Sequence, residues 1–283
     1  MIIDFHTHTF PSFLADKAIN TLSHNGQIKH YIRGTNDSLI SSMNESQVDY
    51  SILLPVVTKP TQTETINQNA VAVNEFSKET GLISFGGIHP DNENPRKIIK
   101  DLAYKGIKGI KLHPIFQKTY IDDIKYLHII EYACENDMIV LIHAGYDITI
   151  PLYNYANISH IAAMLDTLQP KNIILAHMGG WGCSSQVEGT LLGRDVYFDT
   201  ALSLLRLKSA TDTKRQPKGN PPLSRERFLR FVKKHGASKI LFGTDCPWDS
   251  QKNVIQFIKN SGLSDNETAA ILGGNAAKLL KLQ

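Results

Sequence analysis

The segment Ile2-Ile3-Asp4-Phe5-His6-Thr7-His8 begins with apolar residues and ends in two histidines that are separated by one residue. The same arrangement, an apolar run of strand length that ends in a histidine, recurs along the chain. Its further occurrences are Phe85-Gly86-Gly87-Ile88-His89, Gly109-Ile110-Lys111-Leu112-His113, Ile139-Val140-Leu141-Ile142-His143 and Ile173-Ile174-Leu175-Ala176-His177. A last run, Ile240-Leu241-Phe242-Gly243-Thr244, is followed by Asp245. Because a parallel barrel gathers the carboxyl ends of its strands around one point, we expect these polar residues to meet at its mouth.

Short runs rich in Ile, Val and Leu alternate with longer amphipathic stretches, which is typical of parallel strands buried on both faces. The runs predict eight strands, at about 2–5, 50–54, 82–87, 107–112, 139–143, 173–177, 195–199 and 240–244. Helices are predicted near 36–47, 67–80, 95–104, 122–136, 157–168, 184–193 and 224–236, followed by a terminal helix at about 264–282. Ser264 and Glu267 have the spacing of a capping box at the start of that last helix.

The continuous alternation of eight strand–helix units favours a single α/β domain over residues 1–283, a TIM-type (β/α)₈ barrel. The alternative is a doubly wound open sheet, which also alternates. The run His6-Thr7-His8 disfavours it, because such a sheet would carry a glycine-rich phosphate loop at this place. An open sheet would also keep the metal-binding residue types of early and late strands apart. One long irregular stretch, at about 206–223, is predicted to be a lid or a connector.

The composition is that of an ordinary globular protein, with 42% hydrophobic and 20% charged residues. The formal net charge of +3 is too small to indicate nucleic-acid binding, and the chain has no basic tract, so we expect no nucleic-acid partner. Runs of about eighteen apolar residues are absent, so we expect no membrane partner, and we also expect no signal peptide. The three cysteines, Cys134, Cys183 and Cys246, suit a reducing compartment, which predicts a cytoplasmic protein. The oligomeric state is left open, with a homodimer as one option.

Four residues at predicted strand ends suit one metal ion. His6 and His8 are two apart on a strand and therefore point to one face, into the barrel mouth. His143 ends the fifth strand, and Asp245 ends the eighth, which neighbours the first in a closed barrel. Because imidazole nitrogen and carboxylate oxygen are ligands that zinc prefers, the sequence predicts one divalent ion, zinc first and manganese or another divalent ion as alternatives. The competing interpretations are ordinary polar residues at a strand end and, for Asp245, a helix or turn cap.

Further strand-end residues are predicted to act beside the metal. His177 is interpreted as a further ligand, or as a general base or electrostatic anchor next to the ion. Lys111 and His113 share one face of the fourth strand. Carboxylation of Lys111 would let it bridge two metals, but we favour an unmodified ammonium that faces the substrate. His113 is expected to contact the substrate or to support a ligand.

The remaining candidates have less specific signals. His89 is expected either to line a substrate pocket or to hydrogen-bond to the backbone. Trp181 and Trp248 follow strands and either form a wall of the pocket or pack in loops. Asp4 shares the parity of His6 and is predicted to orient ligands from below. The other histidines fall in helices or loops, where we expect structural or solvated roles: His24, His30, His128, His160 and His235.

The runs IDFHTH, GIKLHP, LIHAG, ILAHMGG, LFGTDCPW and ILGGNAAKLL, taken in this order, resemble the amidohydrolase superfamily. More narrowly, they are similar to its amidohydrolase-2 branch, which includes aminocarboxymuconate-semialdehyde decarboxylase-like enzymes. The resemblance implies a distorted (β/α)₈ barrel with a divalent metal, often zinc, at the carboxyl-terminal mouth. It implies His6, His8, His143 and Asp245 as ligands, and His177 as the catalytic histidine that activates water or holds the substrate. Lys111 lies where dinuclear relatives carry a bridging lysine, whereas this branch commonly uses one metal.

Two reactions suit such a site. The first is hydrolysis of an amide, a lactone or another ester-type bond in a small carboxylate-bearing substrate, with a metal-activated water and proton movement by Asp245 and His177. The alternative is nonoxidative decarboxylation of a small aromatic or unsaturated carboxylic acid. A structural zinc protein is disfavoured, because such sites are closed and usually rich in cysteine. Lys208, Lys214 and Arg215 either attract an anionic substrate or belong to a solvated connector.

Overall fold

Parallel β-strands alternate with α-helices along the residues that this computed structural model describes, 1–210 and 221–282. The strands in these ranges are β1 (Ile3–Thr7), β2 (Tyr50–Leu53), β3 (Leu82–Ser84), β4 (Gly86–Gly87), β5 (Gly109–Leu112), β6 (Ile139–Ile142), β7 (Ile173–Leu175), β8 (Tyr197–Asp199) and β9 (Ile240–Leu241). A strand lies at each predicted position, and the one predicted over 82–87 is interrupted at Phe85.

The helices lie between the strands and after the last one. They are α1 (Ser12–Gly26), α2 (Asn36–Ser46), α3 (Thr63–Glu75), α4 (Ser77–Thr80), α5 (Pro95–Tyr104), α6 (Pro114–Gln117), α7 (Ile124–Glu135), α8 (Ile158–Leu168), α9 (Ser184–Thr190), α10 (Arg225–His235), α11 (Gln251–Lys259), α12 (Asp265–Ala269) and α13 (Asn275–Leu280). Short 3₁₀ turns occupy Pro60–Gln62 and Ala237–Lys239. Three of these helices have no counterpart among those predicted from the sequence: α1, α6 and α11.

Neighbouring strands pair in parallel and in chain order. β1 to β3 form one sheet, and β4 to β9 form another. The two sheets meet at Phe85, whose N–H donates to the Leu53 carbonyl at 2.9 Å. On the other side, the N–H of Phe5 in β1 donates to Phe242, just after β9, at 2.8 Å, and that of His8 donates to Cys246 at 2.7 Å. The first and last strands are therefore neighbours, which places the residues after β1 and β9 together at the mouth.

Both faces of the strands are buried. One cluster takes alternate strand residues, including Phe5, Phe85 and Leu141, and the rings of Phe5 and Phe85 meet edge to face at 5.8 Å. A second cluster takes intervening residues such as Ile110 and Val140 together with the apolar faces of the helices. Burial on both faces explains why the strands are continuous apolar runs in the sequence rather than alternating ones.

The terminal helix predicted over 264–282 is present but irregular. The Ser264 side chain accepts from the Glu267 N–H in a capping box, as predicted. A π-helical turn, Ala270–Gly274, then separates α12 from α13. A Cβ at Gly273 would come within 2.3 Å of the Met1 carbonyl oxygen, so only glycine allows this close approach of the helix to the start of the chain.

His235 ties the end of α10 to β8 and the turn before it. Its ring stacks on Phe198 with centroids 3.9 Å apart. Nε2 donates to the Val196 carbonyl at 2.9 Å, and Nδ1 accepts from the Gly193 N–H at 3.1 Å. Burial is the main cause that lowers the pKa of His235 to about 4. This histidine has the structural role that the sequence predicts.

The predicted loop at about 206–223 is described only at its two ends, and neither end is helical. The Lys208 carbonyl accepts from the Lys29 N–H at 2.8 Å. The ammonium of Lys208 lies 4.1 Å from the centroid of the Tyr31 ring. Lys214 and Arg215 lie outside the described residues, so their predicted roles stay predictions. Among the helices of the described ranges, none has the length and apolar character that crossing a membrane requires.

Candidate metal centre

His6 and His8 direct their Nε2 atoms at each other, 3.2 Å apart. The Nδ1 of His6 lies 2.8 Å from Oδ2 of Asp199, at the end of β8. The Nδ1 of His8 lies 2.8 Å from the Leu54 carbonyl oxygen, just after β2. Because a carboxylate or carbonyl oxygen only accepts, each Nδ1 carries the hydrogen, and each Nε2 presents a lone pair.

Asp245 completes a three-residue cluster with these histidines. Its Oδ1 lies 2.9 Å from the Nε2 of His8 and 3.5 Å from that of His6. The backbone of Asp245 has φ of 63°, and its N–H donates to the His6 carbonyl at 2.7 Å. This left-handed conformation, which is strained for a non-glycine residue, is therefore held by a bond to the neighbouring strand.

The cluster of His6, His8 and Asp245 suits a divalent cation. Its two bare nitrogens and one carboxylate oxygen are all acceptors, and acceptors this close repel one another unless a cation lies among them. The Lys111 ammonium, 3.4 Å from the Nε2 of His6, is one cation at the edge of the cluster. Two imidazoles and a carboxylate also match the three protein ligands of a catalytic zinc site, which keeps a further position open. The three side chains rank among the residue groups that can hold a metal ion.

The structure places His143 next to His177 rather than within that three-residue cluster. The Nε2 of His143 is 3.1 Å from the Tyr146 carbonyl, and the Nδ1 of His177 is 3.0 Å from the Ala201 carbonyl. These contacts assign the hydrogens and leave the Nδ1 of His143 and the Nε2 of His177 bare, 3.0 Å apart. The His177 ring in turn lies 5.2 Å from that of His6, centroid to centroid. The two histidines thus add a second pair of inward lone pairs beside the cluster.

Burial keeps these histidines neutral. Desolvation first, and then the charge of Lys111, lowers the pKa of His143 to about 3. Desolvation and then His143 lower that of His177 to about 4. Neutral imidazole is the form that binds a metal or accepts a proton. His177 also has a left-handed backbone, with φ of 61°, and its N–H donates to Asp199 at 2.8 Å.

Lys111 is a buried cation beside the cluster. It is 1% exposed, and burial lowers its pKa to about 8, although Asp199, Asp245 and Asp147 oppose that shift. At neutral pH it is therefore mainly an ammonium. Its placement fits the predicted contact with an anionic substrate.

Asp4 does not lie on the same face of β1 as His6, although strict alternation along the strand predicts that it should. The register between β1 and β2 is irregular between Asp4 and Thr7, which breaks the alternation of faces. Asp4 consequently reaches Gln251 of α11 at 2.9 Å, while His6 reaches Asp199. Asp4 also accepts from the N–H groups of His6 at 3.2 Å and Thr244 at 3.0 Å, so it positions the backbone on both sides of the mouth.

A cavity of about 250 Å³ lies against the candidate metal-binding cluster. Lys111, His113 and both tryptophans line it, together with the apolar side chains Phe10, Ile28, Leu54, Phe116, Ile148 and Leu202. His89 is not among the residues that line it. The Nδ1 of His89 instead accepts from the Asp91 N–H at 3.1 Å, and its predicted contact with substrate stays a prediction.

Two acidic residues of this region are missing from the sequence analysis. Asp199 orients His6, and it ends a predicted strand just as Asp245 follows one, so the same positional signal was available. Asp147 borders the cavity in the loop after β6 and lies 3.6 Å from the Nε2 of His113. Nothing in the loop sequence marks Asp147, because its position depends on how the loop folds back.

Comparisons with known proteins agree with this architecture. The family model described as Amidohydrolase matches residues 3–282. No curated protein is significantly similar to the chain. Similar solved structures include an uncharacterized TIM-barrel protein from Bordetella bronchiseptica, with a TM-score of 0.75, 16% identity and coverage of 99% of this chain and 98% of that one.

Two further similar structures are decarboxylases. For 2,6-dihydroxybenzoate decarboxylase from Rhizobium the TM-score is 0.69 at 15% identity, covering 99% of this chain and 98% of that one. For a dihydroxybenzoic acid decarboxylase from Polaromonas, with bound manganese and the inhibitor 2-nitroresorcinol, it is 0.66 at 16% identity, covering 99% and 97%. At such identities the likeness shows the fold alone, and it confirms the predicted TIM-type α/β class.

Proposed function

We propose that this chain, which belongs to the amidohydrolase family, catalyses the metal-dependent, nonoxidative decarboxylation of a small aromatic or unsaturated carboxylic acid. The sequence alone favours hydrolysis instead. Two of the similar structures are decarboxylases of hydroxylated benzoic acids, which supports the change.

The observation that carries the proposal is the composition of the cavity wall. Aromatic and aliphatic side chains such as Phe10, Phe116 and Trp181 surround a space that ends at the metal centre. A flat apolar ring can lie among these side chains with its carboxylate directed at Lys111 and the acceptor cluster.

We assign His6, His8, His143 and Asp245 as the residues that would hold the metal, with zinc as the first choice and manganese as the alternative. When bound, the metal supplies positive charge that attracts the substrate oxygens and stabilises the electron pair left on carbon as the carbon–carbon bond breaks. Lys111 adds a second positive charge on the substrate side. Asp199, through Nδ1 of His6, keeps the Nε2 of that histidine free of hydrogen.

We assign the movement of the proton to His177 and Asp245. Decarboxylation replaces carbon dioxide by one proton, which comes from solvent through a group of the protein. His177 is neutral at pH 7, so its Nε2 can accept a proton and return it to the carbon that carbon dioxide has left. Hydrolysis is the second candidate, because the same neutral histidine next to a metal ligand can also take a proton from an attacking water.

Reaction in labelled solvent tests the proposal. Protein loaded with zinc or manganese is incubated with a panel of aromatic carboxylates, and separately with lactones and amides. Decarboxylation predicts carbon dioxide and, in heavy water, one deuterium on the vacated carbon of the product. Incorporation of ¹⁸O from labelled water into the product of a lactone or amide, without release of carbon dioxide from any acid, would replace the proposal by hydrolysis.

A further inference from the structure

His113 presents a hydrogen-bond donor to the cavity. Its side chain caps α6, where Nδ1 accepts from the Phe116 N–H at 3.4 Å. The hydrogen is therefore on Nε2, the atom nearer to Asp147. The ring stacks on that of His143 with centroids 4.1 Å apart and an angle of 15°, which fixes the direction of the donor.

Asp147 presents an acceptor beside this donor. Its Oδ1 accepts from the N–H of Thr149 at 2.7 Å and from the Thr149 hydroxyl at 2.5 Å. Its Oδ2 lies 3.6 Å from the Nε2 of His113, too far for a hydrogen bond, and forms none with another described residue. Both side chains line the cavity, and both are mostly buried.

This pair matches one kind of chemical group. A hydroxyl oxygen can lie about 2.8 Å from both atoms, donating its hydrogen to Asp147 and accepting from His113. A second carboxylate on the substrate would be repelled by Asp147, and a methyl ether has no hydrogen to donate. We infer that His113 and Asp147 form a subsite for a hydroxyl group on the ring of the substrate, an inference that rests on the proposed decarboxylase function.

The subsite lies close enough to the metal centre for one small molecule to reach both. One ring nitrogen each of His113 and His143 and a carboxylate oxygen of Asp147 lie within 4.8 Å of one another. Since His143 is a proposed metal ligand, a hydroxylated benzoic acid can place its carboxylate at the metal centre and its hydroxyl at this pair. The class of substrate is then a hydroxylated aromatic monoacid rather than a diacid.

Asp147→Asn tests the subsite without a change of shape. The two donors of Thr149 keep the amide oxygen in the place of Oδ1, so the amide nitrogen faces the cavity and the acceptor there is lost. Asp122→Asn is the matched control, because Asp122 also lies beside a histidine, 2.7 Å from Nδ1 of His160, but does not line the cavity. Calorimetric titration of the zinc-loaded proteins measures the affinity for the three hydroxybenzoates and their methoxybenzoate counterparts.

We expect wild type and Asp122→Asn to bind at least one hydroxybenzoate about 10- to 100-fold more tightly than its methyl ether, the usual effect of a hydrogen bond to a charged group. In Asp147→Asn this ratio should fall to about one. Equal affinities within every pair in wild type, or a ratio that Asp147→Asn leaves unchanged, would overturn the inference. Carbon dioxide release is measured separately. If the protein prefers hydroxybenzoates over their methyl ethers but releases no carbon dioxide, only the decarboxylase proposal is rejected. If it releases carbon dioxide without that preference, only the hydroxyl subsite is rejected.

Discussion

Asp199 is expected to control metal affinity although it is not a proposed ligand. It is fully buried, and its Oδ1 accepts from the N–H groups of His177 at 2.8 Å and Ala201 at 3.1 Å. In Asp199→Asn these two donors keep the amide oxygen in place, which turns the amide N–H₂ towards Nδ1 of His6. Two donors cannot face each other, so His6 must move its hydrogen to Nε2, the atom proposed to bind the metal.

The size of the effect follows from the lost bond. A hydrogen bond between a buried carboxylate and an imidazole contributes about 1.5–3 kcal/mol, and loss of such an orienting partner commonly lowers metal affinity about 10- to 100-fold. We therefore expect the dissociation constant for zinc to rise by about 10- to 100-fold in Asp199→Asn. Competition with a chromogenic chelator measures it.

The matched control is Asp195→Asn. Asp195 precedes the same strand but is exposed, with an ion pair to Lys239 at 2.7 Å. This variant should bind zinc as wild type does. Thermal unfolding of the metal-free proteins shows whether either substitution disturbs the fold. If a folded Asp199→Asn binds zinc within twofold of the control, the assignment of the His6 hydrogen to Nδ1 is wrong.

Further outcomes are expected. His8→Ala should abolish both zinc binding, read by elemental analysis, and activity, whereas full activity after chelation would contradict a metal enzyme. His177→Asn should retain its zinc but lower turnover by about 10²- to 10⁴-fold, as measured once a substrate is known. Intact mass should show Lys111 unmodified, and a carboxylated Lys111 with a second metal would overturn the single-metal site. The pKa of His235 is about 4 in the folded protein and 6.5 ordinarily, so the unfolded chain takes up the proton first as pH falls. The contribution of neutral His235 to the free energy of unfolding is therefore fully present above pH 6.5, and it falls by about 1.4 kcal/mol per pH unit towards pH 4. Denaturant titrations should show that the free energy of unfolding falls less over this pH range in His235→Gln than in wild type. An equal fall in the two proteins would show that the pKa of His235 is not lowered.

The strands could be predicted because both of their faces are buried, whereas α1 could not. α1 begins after Pro11 without a side-chain cap, and Phe13 in its first turn is 85% exposed, so neither its start nor an apolar stripe is evident. α11 did have a signal, since Ser250 caps it by accepting from the Asn253 N–H. The irregular step in β1 is equally hidden in the sequence, because strict alternation would place Asp4 and His6 on one face.

The proposed metal ligands can be recognised in the sequence more easily than the groups that orient them by hydrogen bonds. His6, His8 and Asp245 occur at strand ends in a barrel, where the fold itself makes them meet, so position along the chain is enough to propose them. The Asp199 carboxylate and the Leu54 carbonyl make the Nε2 atoms of His6 and His8 available, and the Ala201 carbonyl does the same for His177. A carbonyl is present at every residue, so the sequence carries no trace of which one fixes a tautomer. The proposed metal binding therefore depends as much on backbone geometry at the mouth as on the histidines. Asp199 is the one of these three partners that acts through its side chain, so it is the position where a substitution can test that dependence.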